Sequence, residues 1–212
     1  MRALCLALAA TFLTAAPAFA CSVVSGYRVP TSLTLADRAD TIFVGTVMGE
    51  RREADGSGGV VLVRPTLLLK GSALPQQVAL GGWLAKAREM ITRSDPRELR
   101  QPNSDALGGG CTRYVFAKDM KLLLFFERKA GKLVFAGYPF ARVSEDVPSD
   151  DSRWVKAVRT YVAIAALPGS ERKSALIARR DALRAQPGDT DAAAIADDID
   201  RELAAQRTPP FD

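Results

Sequence analysis

The sequence predicts a mainly β chain with C-terminal α structure: a small five-stranded β-barrel over residues 21–148, then two or three helices over 149–207. Three observations predict it. Short β-branched and aromatic runs between residues 41 and 138 are separated by glycine-containing turns, the punctuation of a small antiparallel barrel. Lys121-Leu122-Leu123-Leu124-Phe125-Phe126 contains an unbroken apolar run bounded by turns, which fits a strand covered on both faces. After residue 149 the apolar period lengthens to that of a helix.

Residues 1–20 read as a secretory signal: Arg2 as the basic start, an apolar stretch from Ala3 to Leu13, and a small-residue end at Ala18-Phe19-Ala20. Cleavage there makes Cys21 the first residue of the mature chain. The apolar stretch is shorter than the roughly 20 residues of a bilayer-spanning helix, and no later segment is long and uncharged enough, so no transmembrane segment is expected. The expected location is the periplasm or the extracellular space, with a lipid anchor through Cys21 as the alternative. Ala18 and Phe19 suit ordinary cleavage better than acylation.

Residues 32–39 have helical character. The run 41–48 is β-branched and aromatic, and Gly45 inside it marks a bulge or bend. Asp55-Gly56-Ser57-Gly58-Gly59 turns the chain into a second strand over 60–69, completing a hairpin. Pro65 cannot donate to a ladder and belongs at an edge or bulge. Gln77-Val78-Ala79-Leu80 begins a third strand running towards Gly81-Gly82-Trp83. Residues 84–110 form a long connection with a short helix over 84–91, and connections of this length often carry function. Tyr114-Val115-Phe116 leads to the apolar run at 121–126, and Lys129-Ala130-Gly131-Lys132 turns it into a strand over 133–138.

Asp150 and Asp151 mark a helix start, and Trp154, Val155, Val158, Tyr161, Val162 and Ala165 form one apolar stripe. Pro168-Gly169 ends this helix, Ser170 begins and caps a second, and Pro187-Gly188-Asp189 separates a third. In the third, Ala192, Ile195, Ile199 and Leu203 recur at helical spacing. Residues 208–212 are a tail.

Among the 212 residues there is no histidine. That removes the commonest general base near neutral pH and the commonest zinc ligand, and excludes serine–histidine triads and histidine-zinc sites. The formal charge is +5, but the bases are interleaved with acids, as in Arg51-Arg52-Glu53. This is the pattern of a mixed solvated surface rather than a nucleic-acid stripe. Once the leader is removed, only Cys21 and Cys111 remain, and an oxidising compartment allows them one pairing. It would close a loop of about 90 residues, worth about 4–5 kcal/mol by chain entropy. Two free or acylated cysteines are the alternative.

Four patterns that could carry chemistry have simpler readings. Ser170-Glu171-Arg172-Lys173 matches the serine-x-x-lysine pattern of penicillin-interacting enzymes but lacks its companion motifs, and a helix cap explains the serine. Asp189, Asp191, Asp197, Asp198 and Asp200 lack the order of a calcium loop, and the first two fall where a helix start favours negative charge. The glycines at 56–59 and 108–110 lack phosphate-loop or dinucleotide spacing and read as turns. Arg64, Lys70 and Trp83 are too few to make a single-strand platform. No catalytic residue, metal site or cofactor is expected.

Cys21, Ala36-Asp37-Arg38-Ala39-Asp40-Thr41-Ile42-Phe43-Val44-Gly45-Thr46-Val47, Leu68-Leu69-Lys70-Gly71, Gly110-Cys111 and the run 121–126 form a recognisable series. The series resembles the OB-fold module shared by tissue inhibitors of metalloproteinases and netrin C-terminal domains, in particular its bacterial secreted members. The likeness covers about residues 21–166. It implies an OB-like β-barrel with Cys21 held by a disulfide to Cys111, before the fourth strand. It also implies a free Cys21 amine and carbonyl that chelate a target's zinc, and Ser22 entering the target's specificity pocket. The chain departs from the family at Val23, where a further cysteine is usual, and lacks the remaining disulfides.

The expected function is therefore an exported binding module for a protein partner of the envelope or extracellular space, protease-inhibitor-like in its sharpest form. Cys21, Ser22, Val23 and Val24, together with the 84–110 connection, form its expected contact edge. The alternatives are an envelope-associated structural protein or lipoprotein without inhibitory activity and, third, a histidine-free enzyme.

Overall fold

The computed structural model describes residues 23–52 and 58–207. The leader, Cys21, Ser22, most of the turn expected at 55–59 and the tail at 208–212 lie outside the described residues. The elements follow the order α1 (Ser32–Arg38), β1 (Thr41–Arg52), β2 (Gly59–Lys70), β3 (Val78–Gly81), β4 (Trp83–Leu84), β5 (Val115–Phe116), β6 (Lys121–Lys129), β7 (Lys132–Phe135), β8 (Ser144–Asp146), α2 (Arg153–Ala165), α3 (Gly169–Arg184) and α4 (Thr190–Leu203). Six strands form an antiparallel sheet in the order β3-β2-β1-β6-β7, with β8 following β7 along the same edge of β6. β4 and β5 form a separate parallel pair.

β6 separates two cores. Leu122, Leu124 and Phe126 pack with Phe43, Val47, Val61, Val63 and Leu80 on one face. Leu123 and Phe125 pack with Ile42, Val44, Trp154, Val155 and Tyr161 on the other. Side chains alternate across a strand, so a run that is apolar at every position must be covered twice. Phe43 stacks on Phe126 at 5.3 Å, and Phe135 meets Phe126 edge-on at 5.9 Å. The helix-covered core gathers α1, α2 and α4 onto the sheet. The apolar stripe of α2 is buried as its spacing predicts except for Val162, which is half-buried, and in α4 Ala192, Ile195 and Ile199 are buried.

The expected five-stranded barrel does not close, and the sheet is open. β3 pairs only with residues 60–63 of β2, which face the far half of β1, whereas β7 pairs with residues 126–129 of β6, beyond the start of β1. The two edges therefore lie at opposite ends of β1 and share no ladder. Phe116 and Met120 fill the core between them, with Leu84 and Ile91 packed against it.

Two further expectations change. Of the helix expected over 84–91, only a 3₁₀ turn at Arg88–Met90 forms, because Trp83 and Leu84 pair with Val115 and Phe116 instead. Ser170 is not a cap: α3 starts at Gly169, Pro168 is its N-cap, and no side chain caps it. At the start of α1, Thr31 does cap, its Oγ1 accepting the Thr34 N–H at 3.2 Å.

Gly45 and Pro65 face one another at a register shift between β1 and β2, so the proline's missing donor falls at the irregularity. A Cβ on Gly45 would stand 2.7 Å from Val63 Cγ1 and 3.0 Å from the Arg64 carbonyl oxygen. Gly45→Ala is therefore expected to destabilise the fold by about 1–3 kcal/mol, read as a lower urea midpoint at unchanged slope.

Candidate functional site

β7 and β8 run along one edge of β6 in the same direction, interrupted where residues 137–142 leave the ladder and return. Ala136 donates to the Phe125 carbonyl before the excursion, and Phe125 donates to the Val143 carbonyl after it. The excursion carries a surface assembled from four segments. The Phe140 N–H donates to the Cys111 carbonyl at 2.7 Å, and the Tyr27 hydroxyl donates to the Pro139 carbonyl at 2.9 Å. Gly110 lies against the Tyr114 ring, which packs on Trp83 at 4.9 Å between centroids. Gly82, at φ +137°, brings Trp83 into place, because a Cβ there would stand 2.4 Å from the Tyr114 carbonyl oxygen. The Trp83 N–H then donates to that same carbonyl.

Exposed apolar groups flank this edge: Val24 is 78% exposed, Leu107 50% and Trp83 44%. Cys111 and Phe140 both have φ in the left-handed region, 57° and 59°, which non-glycine residues seldom adopt and which surrounding structure must hold. Cys111 is a bonded cysteine and not a free thiol.

The connection behind the edge has little regular structure, so its backbone N–H groups need acceptors from elsewhere. Carboxylates supply many of them. Glu50 accepts from Leu84, Asp146 from Ser94 at 2.8 Å, and Glu145 from Asn103 at 3.1 Å through both oxygens. Glu98 accepts from Leu99, Arg100 and Gln101, and Asp105 Oδ2 accepts from both Tyr114 and Val115 at 2.8 Å. Arg113, buried, donates to Asp146 at 2.6 Å and to the Thr92 carbonyl at 2.8 Å. Such charge-assisted bonds are among the stronger kind, and they hold the connection to β8 and to the turn before β5.

Burial alone would raise the Asp146 carboxyl, but the Arg113 guanidinium and the Ser94 N–H outweigh it and hold the group below the usual carboxylate range. Glu98 is likewise lowered, burial being outweighed by its three backbone donors. These groups are internally satisfied, so their chemistry is that of staples.

Of the residues singled out from sequence, Val23 is half-buried against the main core and Val24 projects into solvent; Cys21 and Ser22 lie outside the described residues. The C-terminal acids are dispersed. Asp189 caps α4, Asp191 bridges Arg153 and Lys156, Asp198 takes Arg100 and Tyr161, and Asp200 takes Arg180. Among the described residues, no group of three or more metal-ligating side chains is placed to hold an ion. Lys70 donates to the Ala36 and Asp37 carbonyls at the end of α1. No helix among the described residues is long and apolar enough to cross a membrane. In comparisons with known proteins the chain matches no family model, no curated protein and no solved structure.

Because Asp146 and Glu98 titrate lower when folded than unfolded, their contribution is complete above the ordinary carboxylate range, about pH 4. It is lost as the pH falls through the folded values. Stability to urea is expected to fall on acidification below about pH 4, and Asp146→Asn should remove part of that dependence. The same variant leaves Arg113 buried without its full charge partner and should cost about 3 kcal/mol at pH 7.

Proposed function

We propose that this chain is an exported protein-binding module whose contact surface is the edge around Cys111, extended by the mature N-terminus through a Cys21–Cys111 disulfide. The observation that carries this reading is the hydrogen bond between Cys111 and Phe140, two non-glycine residues both held in left-handed backbone. Backbone strain of this kind collects at binding surfaces. The exposed Trp83, its ring tilted against that of Tyr114, is the type of anchor that dominates protein interfaces. The bonded state of Cys111 supports the disulfide, since the chain's other cysteines, Cys5 and Cys21, both precede the described residues and cleavage of the leader leaves only Cys21.

Inhibition of a zinc protease is the sharpest form of this reading. In it the Cys21 amine and carbonyl bind the metal, and Ser22 enters the adjoining pocket. The carboxylate staples behind the edge supply rigidity where further disulfides are missing, and a pre-ordered surface loses less entropy on binding.

Intact mass of the secreted protein tests the N-terminus: a chain starting at Cys21 and lighter than its reduced form by two hydrogens is expected, and added lipid mass overturns the free-amine surface. Against a panel of zinc proteases, inhibition is expected to vanish when one alanine is placed ahead of Cys21; inhibition that survives the extension rules out chelation. For a partner captured from the envelope fraction, Trp83→Ala is expected to weaken binding by about 2 kcal/mol, more than the roughly 0.5–1.5 kcal/mol that loss of the Tyr114 ring contact takes from stability.

A further inference from the structure

Arg142, at the end of the 137–142 excursion, and Trp154, in the first turn of α2, each carry a buried N–H with no acceptor among the described residues: Nε of the arginine and Nε1 of the indole. Both residues are more than nine-tenths buried, and the guanidinium lies over the indole, 5.0 Å from the ring centroid. Both line one crevice of about 20 Å³, shared with Val29, Ser32, Arg100 and Asp198. The rest of the Arg142 guanidinium is engaged elsewhere, donating to the Gln101 carbonyl and lying 3.6 Å from Glu145. A buried donor left without an acceptor costs its full desolvation, so two such donors on residues that line one crevice call for a common acceptor.

The lining decides what that acceptor is. Arg142 and Arg100 bring two positive charges to the crevice and Asp198 and Glu202 two negative ones; beside them, Glu145 lies 3.6 Å from Arg142 and Arg201 3.6 Å from Asp198. The charges balance, so the lining has no surplus of positive charge to draw an anion, and a neutral molecule fits it. The volume exceeds the roughly 10–15 Å³ that a single water needs and is far below that of an organic ligand. Asp198 Oδ1 accepts from Arg100 at 2.7 Å and Oδ2 from the Tyr161 hydroxyl at 2.6 Å. A carboxylate has about four lone-pair sites, so it can accept again.

We propose that Arg142, Trp154 and Asp198 build a site for one tightly held water, which accepts from the two N–H groups and donates to the Asp198 carboxylate. The water ties the 137–142 excursion to α2 and α4 beneath residues 29–32, which line the same crevice. The site lies apart from the partner-binding edge, so its test does not depend on that reading.

Trp83 and Trp154 are the only tryptophans in the chain, so Trp83→Phe leaves a single indole N–H in the NMR spectrum without disturbing the core. In that variant the Trp154 indole is expected to show a nuclear Overhauser contact to a long-lived water, and its resonance should not move when chloride or formate is added. Arg142→Lys, which has no Nε–H, is expected to lose the water contact while keeping the fold by circular dichroism. Absence of the contact in the arginine-containing protein overturns the proposal. So does a saturable shift with either anion, which would make the crevice an anion site, or persistence of the contact in folded Arg142→Lys.

Discussion

Backbone amides that leave regular structure must still find acceptors, and that requirement governs this molecule more than any single apolar contact. Between β4 and β5 the chain runs some thirty residues with only two 3₁₀ turns among its regular elements. It is ordered because Glu50, Glu98, Asp105, Glu145 and Asp146 take up its N–H groups. Two of these acids are consecutive on β8, where Glu145 is almost completely buried. A buried carboxylate in a strand is costly unless its lone pairs are satisfied, and here the otherwise unpaired loop amides satisfy them. Loop and strand each remove the other's penalty.

That exchange places the surface. Asp105 grips Tyr114 and Val115 by their backbone, Val115 pairs with Trp83, and the Trp83 ring packs at a tilt against the Tyr114 ring. Cys111 lies between Asp105 and Tyr114 and is tied to Phe140 in the excursion between β7 and β8. The edge thus inherits its rigidity from electrostatics behind it and from the two hydrophobic cores beneath the sheet.

Much of the scaffold was legible because each legible element carries its own physical signature. The run 121–126 is apolar at every position, as a doubly covered strand must be, and the stripe from Trp154 to Ala165 has a helix's spacing. Pro65 opposite Gly45 was legible as a pairing irregularity, though not as one between those two residues. β8 was not legible: Ser144-Glu145-Asp146 reads as a polar loop, and its burial depends on partners some forty to fifty residues earlier in the chain. Sheet closure was misjudged because strand number and composition do not encode which edges meet, and the short register of β3 and β7 decides that. Of the proposed surface, Val24 and the 84–110 connection are among the residues the sequence singles out, whereas the ring contact of Trp83 with Tyr114 depends on the parallel two-residue ladder that pairs Trp83 with Val115 and leaves no pattern in sequence.

The interruption between β7 and β8 has a consequence for how such a protein can change. Both ends of the excursion are clamped to a single residue of β6, Phe125, whose carbonyl accepts from Ala136 and whose N–H donates to Val143. Loop closure depends only weakly on loop length, yet the excursion is not free to change throughout, because Phe140, Ala141 and Arg142 are buried and the first two belong to the helix-covered core. Only its outer half, from the exposed Gly137 to the half-buried Pro139, leaves room for a change of length. For an engineer, the graft point is that outer half, and Phe140 marks its inner limit.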